Sequence, residues 1–253
     1  MTGVYMSGSG NTKHCLEKLM KGLLSDPVMI PIEDPGAAAA IKADEEIFLA
    51  YPTHFSNIPY MVRDFINTNS GIWKGKKVFC LTTMALFAGD GTGCAARLLK
   101  KYGAVITGGL QVKMPDSIGD VKLLKKPLEA NHKTVEETDL RLGRIARKMC
   151  ATKTYPQEGL SFFAHLAGLF GQRLWFYNKT ADYSNKLKVS EACAGCGLCT
   201  GLCPMGNLSV KDGRAVSAGR CAMCYRCINS CPQKALTLLG NKVYEQCSYE
   251  KYR

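Results

Sequence analysis

Between residues 193 and 232 one cysteine pattern occurs twice. Cys193-Ala-Gly-Cys196-Gly-Leu-Cys199-Thr-Gly-Leu-Cys203-Pro204 is followed, after a spacer, by Cys221-Ala-Met-Cys224-Tyr-Arg-Cys227-Ile-Asn-Ser-Cys231-Pro232. Both read C-x2-C-x2-C-x3-C-P, the run that wraps a [4Fe–4S] cluster and sends its fourth cysteine to the other cluster of a pair. Each corner iron needs one thiolate, so three ligands must curl tightly round one cubane. Two-residue gaps permit that turn, and Gly195 and Gly197 ease the backbone through it. The x3 gap starts a helical turn that carries the last cysteine away, and Pro204 and Pro232 stop it. The pattern assigns Cys193, Cys196, Cys199 and Cys231 to one cluster, and Cys221, Cys224, Cys227 and Cys203 to the other.

Other chemistries explain the pattern less well. Zinc takes four ligands, typically in separated pairs, and a disulfide framework needs an oxidising compartment and usually a short chain. Neither calls for the same run twice with proline at the same place. The stretch 186–245 resembles the bacterial-type two-cluster ferredoxins.

The chain is far longer than that module needs. Its 253 residues, 46% hydrophobic and 21% charged, have room for a second, larger soluble domain. Residues 1–20 lack the apolar core of a secretory signal, and five of the 13 cysteines (Cys15, Cys80, Cys94, Cys150, Cys247) show no pairing logic. A reducing cytoplasm is therefore expected. The formal charge is +12. Clusters and a nucleotide phosphate would offset part of it and leave a basic protein, whose charge serves solubility or, alternatively, steers acidic electron-transfer partners. No aromatic–basic interleaving or recognition helix suggests nucleic acid.

Residues 2–6 read as a buried strand, Ser7-Gly8-Ser9-Gly10-Asn11-Thr12 as a loop, and about 12–25 as an amphipathic helix. A small polar loop before a helix N-terminus offers free N–H groups, hydroxyls and a positive dipole to an anion. The lysine of a Walker loop is missing, so a nucleoside triphosphate is not expected. Further strands are predicted at 28–32, 47–51, 78–82 and about 104–113, with helices at 60–67 and about 94–102. Strands alternating with helices imply a parallel sheet with right-handed crossovers. The loops after strands one, three and four are rich in Gly, Ser, Thr and aromatics, and would meet outside the strand C-termini.

Residues 1–150 resemble a flavodoxin, because Ser7-x-Ser9-Gly10-Asn11-Thr12 matches that family's T/S-x-T-G-N-T phosphate loop with Ser9 in place of Thr. Phe87-Ala88-Gly89-Asp90-Gly91, Gly108-Gly109-Leu110 and Lys113-Met114-Pro115-Asp116-Ser117 make the whole chain similar to flavodoxin–ferredoxin fusion proteins of anaerobes. The resemblance implies FMN, with Ser7, Gly8, Ser9, Gly10, Asn11 and Thr12 at the phosphate. It places Pro52, Thr53, His54, Phe55, Thr83, Met84, Gly89, Asp90 and Gly91 round the isoalloxazine, Phe55 being the first choice to stack on the ring and His54 the second. The expected fold is α/β: a flavodoxin-like doubly wound five-stranded parallel sheet of order 2-1-3-4-5 (1–150), a linker with an apolar helix (151–185), and a small α+β two-cluster ferredoxin-like domain (186–253).

A long helix over 128–149 should pack Leu128, His132, Val135, Leu142, Ile145 and Met149 on the sheet. Residues 160–177 are apolar and aromatic but shorter than a membrane span and interrupted by Gly168, Gly171, Gln172 and Arg173. They are expected as a helix wedged between the domains, the alternative being a surface helix that docks on a membrane or partner. Cys94 sits where a helix N-terminus could lower a thiol pKa.

Clusters and FMN in one chain make a wire for single electrons. The expected function is electron transfer between low-potential [4Fe–4S] clusters and FMN, with a redox protein (a ferredoxin, or an acidic reductase or acceptor) as partner. The alternative is an FMN-dependent reductase that reduces a small-molecule acceptor with ferredoxin-type electrons. Tyr51, His54 and Asp90 are its candidate proton donors. No second G-x-G-x-x-G argues for NAD(P)H. Either direction of electron flow fits the sequence.

Overall fold

The computed structural model describes residues 1–176 and 179–253, with 179–181 described through their backbone only. Its first half alternates strand and helix: β1 (Thr2–Tyr5), α1 (Asn11–Lys21), β2 (Val28–Pro31), α2 (Ala37–Ala43), β3 (Glu46–Pro52), α3 (Tyr60–Thr68), β4 (Lys77–Met84), α4 (Gly91–Lys101), β5 (Val105–Lys113) and α5 (Leu128–Thr152). The five strands form one parallel sheet in the order 2-1-3-4-5. The order and crossovers are those of a flavodoxin-like doubly wound domain.

Strands buried on both faces read as continuous apolar runs, and β3 and β4 do. Because side chains alternate along a strand, Ile47, Leu49, Tyr51, Val78 and Cys80 face α2, α3 and α4. Phe48, Ala50, Phe79 and Leu81 face α1 and α5. The stripe of α5 is offset from the expected one. Asn131, Val135, Thr138, Leu142, Ala146 and Met149 are buried, whereas Leu128 is exposed and His132 half-buried.

The segment 160–176 departs from expectation. It breaks into α6 (Phe162–Gly168), a π-helical turn (Leu169–Arg173) and a single turn α7 (Leu174–Phe176). Its amphipathicity is inverted: Phe162, Phe163, Phe170, Leu174 and Trp175 are exposed while Arg173 is buried. It is therefore not a helix buried by its apolar face between two domains. What seats it is an ion pair: Arg173 reaches the fully buried Asp90. Tyr177 lies outside the described residues.

After α8 (Lys179–Ser184) come β6 (Lys188–Val189), α9 (Leu198–Leu202), β7 (Leu208–Lys211), β8 (Arg214–Ser217), α10 (Arg226–Ser230), β9 (Leu236–Thr237) and α11 (Tyr249–Tyr252). β7 and β8 form a hairpin, turning at Asp212-Gly213, and β6 pairs with β9. β9 is only two residues long. The two cysteine runs repeat one backbone. Gly195 and Gly197 have φ of 63° and 74°, and the equivalent Met223 and Tyr225 have 54° and 61°. A five-residue helix follows in each run.

The two halves interlock. The buried Asp120, on the loop after β5, accepts N–H bonds from Leu238, Leu239 and Gly240 (2.6, 3.0 and 3.1 Å) and the Tyr225 hydroxyl (3.0 Å). The tail then returns to the first half. Cys247 and Tyr252 enter the α1/α5 core, the Tyr249 N–H donates to the Ser9 carbonyl (2.8 Å), and its ring stacks on His14 at 3.9 Å. No helix among the described residues is long and apolar enough to cross a membrane.

Candidate functional site

The C-terminal ends of β1, β3, β4 and β5 open on a cleft of about 190 Å³. The loop after β1 forms its floor, and Gly8, Ser9, Asn11 and Thr12 line it. First-turn amides of a helix have no partner within it. Here the Lys13 N–H goes to Ser7 Oγ (3.3 Å), and Gly10 takes a φ of 91° to begin α1. Thr12 Oγ1 and Thr83 Oγ1 share a hydrogen bond of 2.8 Å. Asn11 donates through Nδ2 to the Pro115 carbonyl (2.8 Å). Its Oδ1 and the Thr53 Oγ1 are buried polar atoms with no partner among the described residues. Unpaired buried polar groups are costly, so a bound polar molecule in this cleft would relieve both.

Pro52, Thr53, His54 and Phe55 form one wall, and Thr83 to Phe87 another. Residues 54–57 make a two-residue turn, closed by the His54 N–H to the Asn57 carbonyl and its reciprocal, both 3.0 Å. Phe55 and Ser56 at its tip have φ of 51° and 55°, a conformation that bulky residues rarely hold. The Phe55 ring is stacked on Phe176 at 4.6 Å. Desolvation pushes the His54 imidazole down to about 4, so it is neutral at neutral pH.

Gly89, Asp90 and Gly91 turn away from the cleft. A Cβ on Gly89 would meet Gly168, and one on Gly91 would meet Thr53. Asp90 binds Arg97 (2.6 Å), His165 Nδ1 (2.9 Å) and Arg173. Tyr51 is spent on the Gly91 carbonyl at 2.6 Å. Of the three candidate proton donors, only His54 lines the cleft. Burial, with Asp90 beside it, pushes the Cys94 thiol up to about 11, the reverse of a helix-activated cysteine. Sequence reasoning missed Met114–Ile118, Gln172 and Met223–Tyr225, which complete the lining. Met114–Ile118 is the loop that follows β5 in the same sheet, whereas Met223–Tyr225 arrives by tertiary packing between the two halves and carries no local signal.

The eight motif cysteines line two further small cavities. Cys193, Cys196, Cys199 and Cys231 surround one and Cys203, Cys221 and Cys224 the other, with Cys227 in the walls of both. Backbone N–H groups aim at four of the sulfurs: Ala215 to Cys193, Asn207 to Cys203, Met223 to Cys221 and Ala235 to Cys231, at 3.3–3.4 Å. The last cysteine of each run accepts from the residue four further on, so the repeat extends to hydrogen bonding. Among the described residues no three His, Cys, Asp or Glu side chains converge as ligands of a single metal ion. Burial raises the Cys221 thiol to about 11 and also raises Cys224 and Cys227. N–H bonds from Ala215 and Gly195 lower the surface-facing Cys193.

The cleft and the second cysteine cavity touch. Cys224 lines both, and the Cys224 carbonyl lies so close to Gly8 that a Cβ there would sit 1.7 Å from it. Arg226, two residues on, donates to the Ser7 carbonyl (2.9 Å) and to Glu33 (2.6 Å).

No protein-family model matches the chain, and no curated protein matches it. Among solved structures it is similar to the two-electron reduced flavodoxin of Megasphaera elsdenii, with 20% identity over 58% of this chain and 99% of that one, at a TM-score of 0.43. A flavodoxin from the domain Archaea gives 21%, 58%, 96% and 0.42. The rubredoxin oxygen:oxidoreductase of Desulfovibrio gigas gives 15% identity, 60% of this chain but 37% of its own, and 0.38. The fold described above rests on the sheet itself.

Proposed function

We propose that this protein is an electron-transfer iron–sulfur flavoprotein. In this reading FMN occupies the cleft and two [4Fe–4S] clusters occupy the cysteine cavities. The observation that carries it is the shared lining: Cys224 belongs to the cleft and to the second cysteine cavity, and Cys227 to both cysteine cavities. That gives an order of sites: cleft, then the Cys203/Cys221/Cys224/Cys227 set, then the Cys193/Cys196/Cys199/Cys231 set. The last set holds Cys196, an exposed cysteine, and is where a redox partner would dock.

When bound, FMN exchanges one or two electrons and each cluster exchanges one. The residues do the rest. Ser7, Ser9, Gly10, Asn11 and Thr12 would hold the phosphate with hydroxyls and first-turn amides, and Asn11 Oδ1 and Thr53 Oγ1 would gain the partners they lack. The N–H groups on Cys193, Cys203, Cys221 and Cys231 stabilise sulfur-centred negative charge and so raise cluster potentials. His54, neutral in the wall, adds no charge there. A partner redox protein of acidic surface is expected from the basic balance of the chain.

The test is anaerobic purification and reconstitution. The reading expects one FMN and about eight irons per chain, and flavin reduction by a reduced ferredoxin. Cys199→Ala should lose about half the iron and slow that reduction while keeping FMN. A protein that takes up flavin but no iron, or a Cys199→Ala variant with undiminished iron, would overturn it.

A further inference from the structure

A second cavity of about 530 Å³ lies on the far side of the 54–57 turn and shares His54 and Phe55 with the cleft. It also reaches the second cysteine run, because Met205 and Arg220, which flank Cys203 and Cys221, line it. Three arginines, Arg63, Arg173 and Arg220, contribute to its wall, and no Asp or Glu does.

Each arginine has capacity left. Among the described residues Arg63 makes only a 3.4 Å contact with its exposed neighbour Asp64. Arg220 gives one nitrogen to the Gly206 carbonyl (3.0 Å), out of five N–H donors in its fork. Arg173 is 8% exposed, and its Nε has no partner among the described residues. Asp90 compensates the charge of Arg173 and the exposed Asp64 part of that of Arg63, so the positive field comes chiefly from Arg220, with Arg63 beside it. The π-helical turn that ends at Arg173 is a local distortion often found at functional positions. Apolar and aromatic groups form one part of the remaining wall, Phe55 on Phe176, Ile58, Met205 and the Tyr60 ring, and His54, Asn57, Ser184 and Asn185 form the polar part. Tyr60, whose hydroxyl burial pushes up to about 12, stays protonated and donates to the Arg220 carbonyl, fixing the rim.

We propose that this cavity binds a small organic anion, a flat apolar body carrying a carboxylate or phosphate group. The anion faces Arg63 and Arg220, and the body lies against the Phe55/Phe176 pair. Its occupant would touch the turn that walls the cleft and the segments that carry Cys203 and Cys221. Binding at this place is a separate event from electron transfer, and only the flavin loading in its test rests on that reading.

The experiment is calorimetric titration of the full-length, flavin-loaded protein under anaerobic conditions with benzoate, phenyl phosphate and the neutral isostere benzamide. Loading with flavin blocks the phosphate loop from phenyl phosphate. The expected result is saturable binding of at least one anion, about tenfold or more tighter than benzamide. Whichever anion binds better identifies the head group. Arg63→Gln and Arg220→Gln, both on exposed side chains, should each weaken that binding about tenfold with flavin and iron contents unchanged. Benzamide binding as tightly as the anions, saturation by neither anion, or a double variant that binds them like the parent would overturn the proposal.

Discussion

Gly8→Ala probes the contact on which the order of sites depends. A Cβ at Gly8 would stand 1.7 Å from the Cys224 carbonyl oxygen, which must retreat by about 1.3 Å to reach even the 3.0 Å limit of real contacts. The obstacle is backbone, held by a run whose cysteines line two cavities, so it cannot swing aside as a flexible side chain would. Overpacking of this kind costs about 1–3 kcal/mol. In a chain of this size that lowers the melting temperature by about 2–4 °C per kcal/mol, or about 2–12 °C in all. The assay is anaerobic thermal unfolding of the reconstituted protein followed at the flavin and cluster absorbance, with flavin reduction by reduced ferredoxin measured by stopped flow. Gly71→Ala is the control, since a Cβ there meets nothing within 4 Å. The variant should melt lower than the control, bind FMN less tightly and slow the passage of electrons to it. A Gly8→Ala protein indistinguishable from Gly71→Ala in all three would refute the close apposition of the loop and Cys224.

Asp120→Ala should leave the N–H groups of Leu238, Leu239 and Gly240 without an acceptor and cost about 3 kcal/mol or more in chemical denaturation. Asn11→Asp places a negative charge at the phosphate loop and should weaken FMN at least about tenfold by fluorescence titration; unchanged affinity would remove the loop from the site. His54 ordinarily titrates near 6.5 and is pushed to about 4 in the fold. The unfolded chain therefore binds the extra proton between those values. Stability is full above pH 6.5 and falls as pH drops through the window, by up to about 3 kcal/mol; His54→Gln should flatten that decline in denaturation curves taken from pH 7 to 4. The raised thiols of Cys221, Cys224 and Cys227 must lose protons to bind iron. Iron uptake by the apoprotein should release protons and strengthen as pH rises from 6 to 8, which a pH-stat titration reads directly.

Much of the sheet was legible because its strands are buried on both faces, so runs such as Ile47–Tyr51 and Val78–Thr82 leave no other reading. α2 escaped because seven residues, four of them consecutive alanines, carry only Ile41 as a large apolar signal. The 160–176 segment misled because its composition suggested an apolar face turned inward. The buried charge on Asp90 outweighed that face, since an unpaired carboxylate in the core is costlier than exposed phenylalanine. The same pairing explains why Asp90, expected beside a flavin ring, lies behind the wall. The paired cysteine cavities follow the spacing of the runs, whereas the contact of Cys224 with Gly8 lies in no local pattern.

Tyr249 braces the loop at Ser9 and Gly10 from the opposite end of the sequence. During synthesis that loop is translated long before its brace. Until Tyr249 has been made, the loop at Ser9 and Gly10 lacks that brace. On the proposed reading, flavin capture would wait on the seating of the cysteine-bearing half and its tail.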